Sequence, residues 1–212
     1  TLGCTAFMSM LCAPFAEAAV IAHFDFEDSL GNFSNLAELT PPQMTVGVWS
    51  DADGTLGSST TGNPGFAVSA TSFKEGNAYL LTLTPAAGFK LALTGFSFDH
   101  RISSTGPTNW NLQLNGLSLG TGTTSASFKT DNLAFTTSGE RDPLLLRLAG
   151  GGASSNAGTW RLDNVTISGN LAAVPLPASL WLLLAGCLRL AQSTRRQISV
   201  CASRPAPEVA IT

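Results

Sequence analysis

The chain has 212 residues, of which 12% are charged and 21 are Gly, with a formal net charge of −3. Between Val20 and Asn170 twelve acids face seven bases, so no basic patch serves a phosphate backbone and nucleic-acid binding is excluded. Cys4, Cys12, Cys187 and Cys201 all fall outside that span, which leaves the central domain neither a disulfide framework nor a thiolate metal site.

Residues 1–18 are uncharged before Glu17, apolar, and close on Ala16-Glu17-Ala18, an A-x-A cleavage pattern. They are expected to be a signal peptide truncated at its N-terminus. The next 150 or so residues suit one domain with its own core. In Val20–Phe26 the apolar Ala22, Phe24 and Phe26 alternate with His23 and Asp25, the pattern of a half-buried strand. Residues 31–65 read as loop, with one short apolar piece at Met44–Trp49. Ala78–Thr84 is a strand stopped by Pro85. Lys90–Leu93 and Phe96–Ile102 follow, their apolar parity reversing across Gly95, where a bulge or bend is expected. Trp110, Leu112 and Leu114 alternate with Asn111 and Gln113, Asn115-Gly116 supplies a type I′ turn, and Leu117 and Leu119 return, so a hairpin is predicted. Phe128, Leu133–Thr136, Leu144–Leu148 and Trp160–Ser168 complete the strands, the last again changing parity at Asp163-Asn164.

Nine or ten short strands joined by Gly/Ser/Thr turns predict an all-β, jelly-roll-like β-sandwich over residues 19–170. The closing TWRLDNVTISG resembles the final strand of bacterial jelly-roll modules. Asn170–Val174 reads as a linker.

Beyond it stands Val174-Pro175-Leu176-Pro177-Ala178, then an apolar run to Leu188, then Arg195-Arg196. The prolines bar a helix from running in from upstream. A helix over Ala178–Ala191 would span roughly 21 Å, short of the roughly 30 Å hydrocarbon core. Such a marginal span with a basic stop reads as a sorting signal. The proline motif, the short Trp/Leu-rich helix and the arginines resemble the PEP-CTERM family of sorting tails in its VPLPA variant. The resemblance implies a Gram-negative exported protein, held transiently in the inner membrane, processed by an exosortase and delivered to the cell surface or an exopolysaccharide matrix, as in a biofilm. Arg189 and the sixteen residues 197–212 depart from that pattern; the latter form an atypical tail, expected from a frameshift or read-through.

The catalytic motifs lack their contexts. Gly116-Leu117-Ser118-Leu119-Gly120 matches the nucleophile elbow G-x-S-x-G, but Ser118 falls in a hairpin strand, and His23 and His100 both precede it. Asp25 and Glu27 share a parity and form the best carboxylate pair on offer, most simply a solvated strand end. Asp51-Ala52-Asp53-Gly54 makes Asp51 and Asp53 the candidate ligands of a structural Ca²⁺, although Gly62 stands where a calcium loop carries its glutamate. No other cofactor is expected. Trp110 and Trp160 have core parity, whereas Trp49, beside a loop, is the candidate sugar-stacking ring. The leading expectation is a non-enzymatic surface or matrix protein associated with exopolysaccharide. A non-catalytic module binding envelope glycans is the alternative, and a polysaccharide-active enzyme comes third.

Overall fold

The computed structural model describes residues 19–54, 56–71, 73 and 76–175. The predicted signal segment, the C-terminal helix over Ala178–Ala191 and the 197–212 tail lie outside the described residues. Twelve strands and no helix are found among the described residues: β1 (Ala19–Phe24), β2 (Met44–Val46), β3 (Ser50–Asp51), β4 (Leu56–Ser59), β5 (Ala67–Ala70), β6 (Ala78–Pro85), β7 (Phe89–Ile102), β8 (Asn109–Leu114), β9 (Leu117–Thr123), β10 (Lys129–Ala134), β11 (Leu144–Gly151) and β12 (Trp160–Ala173). They form two six-stranded sheets. The first runs β10-β7-β12-β5-β4, with β1 also on β12; the second runs β2-β6-β11-β8-β9, with β3 also on β6.

The predicted β-sandwich is thus present, and alternation is what makes it. Leu81 and Leu83 on β6, Trp110 and Leu112 on β8, and Leu144, Leu146 and Leu148 on β11 send one face of the second sheet inward. Phe96 and Phe98 on β7 and Trp160, Leu162, Val165 and Ile167 on β12 do the same for the first. All belong to one buried cluster, the layer expected between two packed sheets.

The two parity reversals in the sequence are bulges. Gly95 pairs with Ser168 and Leu93 with Gly169, so Thr94 is the extra residue on β7. A Cβ at Gly95 would come within 3.3 Å of the Leu133 carbonyl oxygen, which explains the glycine there. On β12, Asp163 pairs with Asp99 and Thr166 with Ser97, so Asn164 and Val165 together face Phe98. Asn164 takes the left-handed φ of 46° that the bulge needs and that Asn tolerates. Each bulge returns the apolar side chains beyond it to the core face. The 115–116 turn has φ of 48° and 85°, both positive as a type I′ turn requires.

Four stretches differ from expectation. β5 has no counterpart among the predicted strands. The 31–65 segment contains β2, β3 and β4, which are two to four residues long and carry too few apolar residues for alternation to register. Lys90–Leu93 and Phe96–Ile102 are one strand, because the bulge reverses parity without breaking the ladder. The presumed linker is largely strand: Leu171, Ala172 and Ala173 pair with Leu91, Lys90 and Phe89. The compact unit that holds the sandwich ends at Ala173; Val174 and Pro175 belong to a second unit and lie in neither helix nor strand.

Candidate functional site

The alternation that fills the core also fixes what the second sheet shows to solvent. Leu80, Thr82 and Thr84 on β6, Leu145 and Arg147 on β11, Asn111 and Gln113 on β8, and Ser118 and Thr121 on β9 point away from the buried leucines between them. Register sets Ser50, Leu80, Arg147, Gln113 and Ser118 side by side across five strands. At the centre, Arg147 donates from Nη1 to Gln113 Oε1 at 3.2 Å and from Nη2 to the Gly76 carbonyl at 2.8 Å. Ser118 Oγ donates to Asn111 Oδ1 at 2.8 Å. These bonds use the amide oxygens and leave the amide N–H₂ groups of Gln113 and Asn111 as donors. Leu80 belongs to the row and Leu145 lies beside it on β11, 41% exposed. The result is a sheet face of planar donors held in fixed orientation beside exposed aliphatic surface. Chemically it suits a neutral ligand with many hydroxyls and some C–H surface.

The residues singled out from sequence are placed otherwise. Trp49 is corrected: it is 1% exposed, with Phe24, Tyr79 and Phe96 around it at ring separations of 5.8, 6.4 and 6.5 Å. No face of its indole is open to a sugar. The Asn35 side-chain amide accepts from the Trp49 backbone N–H at 3.1 Å and donates to the Trp49 carbonyl at 2.7 Å, mimicking a strand partner where Trp49 enters the core. Asp51 is buried on β3 opposite Tyr79, and Asp53 is exposed in the turn after it. Among the described residues no group of three or more His, Cys, Asp or Glu is placed to hold a metal ion. Of the sorting motif and basic stop, Val174 and Pro175 are described; Leu176, Pro177, Ala178, Arg195 and Arg196 lie outside the described residues. Among the described residues no helix is long and apolar enough to cross a membrane.

The catalytic candidates are occupied elsewhere. Ser118 is committed to Asn111. His23 shares a hydrogen bond with Thr166 at 3.0 Å, and His100 with Asp131 at 2.9 Å. β1 ends at Phe24, and Phe26, at φ 62°, turns the backbone between Asp25 and Glu27; Asp25 accepts from the Glu27 N–H and Glu27 from the Phe66 N–H, both at 2.9 Å.

Two polar clusters had no signal in the sequence, because their members lie far apart along the chain. In the first, the Asp163 carboxylate accepts from the backbone N–H of Asn63 and, at 2.8 Å, of Asn164. Asp99 accepts from the side-chain amides of Asn63 and Asn164 at 3.1 and 2.9 Å and from the Thr130 hydroxyl. The loop at 62–66 is thereby fastened over the β12 bulge. Burial, with Asp99 and Asp25 nearby, pushes the Asp163 carboxyl up to about 6, against the backbone donors that favour its charge. In the second, Asp131 on β10 of the first sheet accepts through one oxygen from His100 Nε2 and from Trp110 Nε1 of the second sheet, at 2.9 and 2.8 Å. Lys129 lies 2.8 Å from the other oxygen. Burial holds His100 below its ordinary pKa, against the pull of Asp131; its Nε2 donates, since a carboxylate can only accept.

No protein-family model and no curated protein matches the chain. Among solved structures it is similar to the CBM22-1 xylan-binding domain of Paenibacillus barcinonensis Xyn10C, with 12% identity over 74% of this chain and 99% of that one and a TM-score of 0.43. It is similar to CBM29-2, a family 29 carbohydrate-binding module complexed with mannohexaose, at 15% identity over 72% and 92% and a TM-score of 0.40. It is also similar to CBM35 of Cellvibrio japonicus Abf62, at 16% identity over 60% and 92% and a TM-score of 0.41.

Proposed function

We propose that the jelly-roll-like sandwich is a non-catalytic glycan-binding module and that the outer face of its second sheet is the binding surface. One observation carries this reading. The Arg147 guanidinium stands in register with the Gln113 amide on the adjacent strand, and the Asn111 amide lies two residues from Gln113 on the same face of β8, each held by a hydrogen bond and each with donors to spare. Groups fixed in this way lose little side-chain entropy when they meet vicinal hydroxyls, while Leu80 and Leu145 offer aliphatic contact to the C–H face of a sugar ring. With Trp49 buried, binding rests on polar groups and leucines, which favours moderate affinity and a flat, extended ligand. The reading reverses the order reached from sequence, where a matrix structural role stood first.

The sorting expectation supplies the place. The VPLPA motif, the apolar run and Arg195-Arg196 support processing by an exosortase and display at the cell surface or in exopolysaccharide, where a glycan-binding face has its ligand. Titration of the chain against a panel of neutral polysaccharides, followed by Arg147→Gln and Gln113→Ala, tests the reading. Binding that falls at least tenfold in both variants, with unchanged melting temperature, supports it; absence of any neutral glycan ligand, or full binding by both variants, refutes it.

A further inference from the structure

The opposite face of the sandwich carries a charge arrangement of another kind. Arg161 on β12 and Arg101 on β7 are direct cross-strand partners, and both point away from the core side on which His100, Trp160 and Leu162 lie. Like charges placed directly opposite on a sheet destabilise it unless something neutralises them. Among the described residues neither guanidinium lies within ion-pair distance of a carboxylate. Arg101 is oriented by one bond, from Nε to the Ala126 carbonyl at 3.0 Å. The Nε–H of Arg161 is enclosed and meets no acceptor. The acids one alternate step along the same strands, Asp99 and Asp163, are engaged by the amides and hydroxyl described above. Across the sheet the same row continues through Ser69 to Gly57, where a side chain would meet nothing within 4 Å. Two half-buried guanidinium forks, one oriented and one with an unmet donor, thus stand side by side on the outer face of the first sheet, beside the buried Ser69, in a domain that is otherwise acidic.

We infer that the Arg101–Arg161 pair binds an oxyanion, and specifically the carboxylate of a uronate in an acidic glycan. Planar guanidinium forks match the two oxygens of a carboxylate or phosphate, and an anion between them removes the like-charge repulsion. The choice of a uronate over free phosphate rests on the glycan reading above; the anion site itself does not. The two faces would then engage neutral and acidic chains separately.

The full chain is titrated by calorimetry with trigalacturonate, inorganic phosphate and neutral mannohexaose. Trigalacturonate is expected to bind, more weakly as salt rises, and to lose at least tenfold in affinity in Arg161→Gln and in Arg101→Gln. Arg161→Lys, which keeps the charge without the fork, should recover part of that loss. Mannohexaose binding should be unchanged in Arg101→Gln and Arg161→Gln, so a failure of the neutral-glycan reading is seen apart from a failure here. Because Arg101 and Arg161 lie on different strands, a folding defect in one variant leaves the other to decide. Trigalacturonate binding that survives in both glutamine variants, or no binding of trigalacturonate or phosphate, overturns the site. Binding of phosphate alone overturns the uronate assignment.

Discussion

Asp131 is the residue on which the two sheets lean most visibly, and its replacement offers a sharp test of the packing. One of its oxygens accepts from both His100 Nε2 and Trp110 Nε1, so Asp131→Ala strands two donors, one on a fully buried ring. Each buried donor left without an acceptor costs about 1–3 kcal/mol. The Lys129 pair, with Lys129 41% exposed, adds about 0–1 kcal/mol. Together these put Asp131→Ala at roughly 2–7 kcal/mol. Asp131→Asn keeps one acceptor where both rings need it and turns its amide N–H₂ toward Lys129, which can swing into water, so its cost should stay near roughly 1 kcal/mol. Urea unfolding of the two variants and the parent, compared at equal slope, reads the difference directly. In a double-mutant cycle with Trp110→Phe the alanine effect should shrink, since one stranded donor is already gone. Equal losses for Ala and Asn, or an Ala cost below about 0.5 kcal/mol, would show that the inter-sheet hydrogen bonds do not hold the sheets as described.

Tyr79 makes a second link, its hydroxyl donating to the Trp160 carbonyl and accepting from the Ala70 N–H at 2.9 Å. Tyr79→Phe should therefore cost about 1–3 kcal/mol in chemical denaturation with little change in fold by circular dichroism. Asp163, raised from 3.8 to about 6, binds its proton more tightly folded than unfolded, so its contribution to stability is present at low pH and lost as pH rises through about 6. Relative to the parent, Asp163→Asn should become more stable between pH 4 and pH 7 by up to about 3 kcal/mol, measured in chelator-treated buffer; His100, depressed by burial, acts in the opposite direction but cancels in that difference. For the tail, Pro175 and Pro177 to Ala should leave the chain membrane-associated and unprocessed, and intact mass of envelope and medium fractions would show cleavage of the parent alone.

Much of the architecture was legible because burial alternates with a period of two. The hairpin around Asn115-Gly116 and the strands β6, β8 and β11 follow from alternation and turn chemistry alone. Even the two bulges left a trace, as parity reversals at Gly95 and at Asp163-Asn164. What failed to show is equally physical. β5, four buried residues reading Ala-Val-Ser-Ala, has no polar side to alternate with, so nothing distinguishes it from loop. Trp49 looked like a surface ring because its neighbours are loop residues; the Asn35 side chain that pairs with its backbone lies fourteen residues earlier. The proposed binding face was half readable: Asn111 and Gln113 share a side of β8 by alternation, but Arg147 joins them only through strand register, which no local pattern encodes.

The central claim is that the outer face of the second sheet receives a glycan. Chemical-shift mapping of the isotopically labelled chain, as a neutral oligosaccharide is added, tests it most directly. The largest changes should fall on the side-chain N–H groups of Arg147, Gln113 and Asn111 and on the methyl groups of Leu80 and Leu145, and they should vanish in Arg147→Gln. Shifts that instead cluster elsewhere on the sandwich, or saturable binding that leaves those groups unmoved, would contradict it.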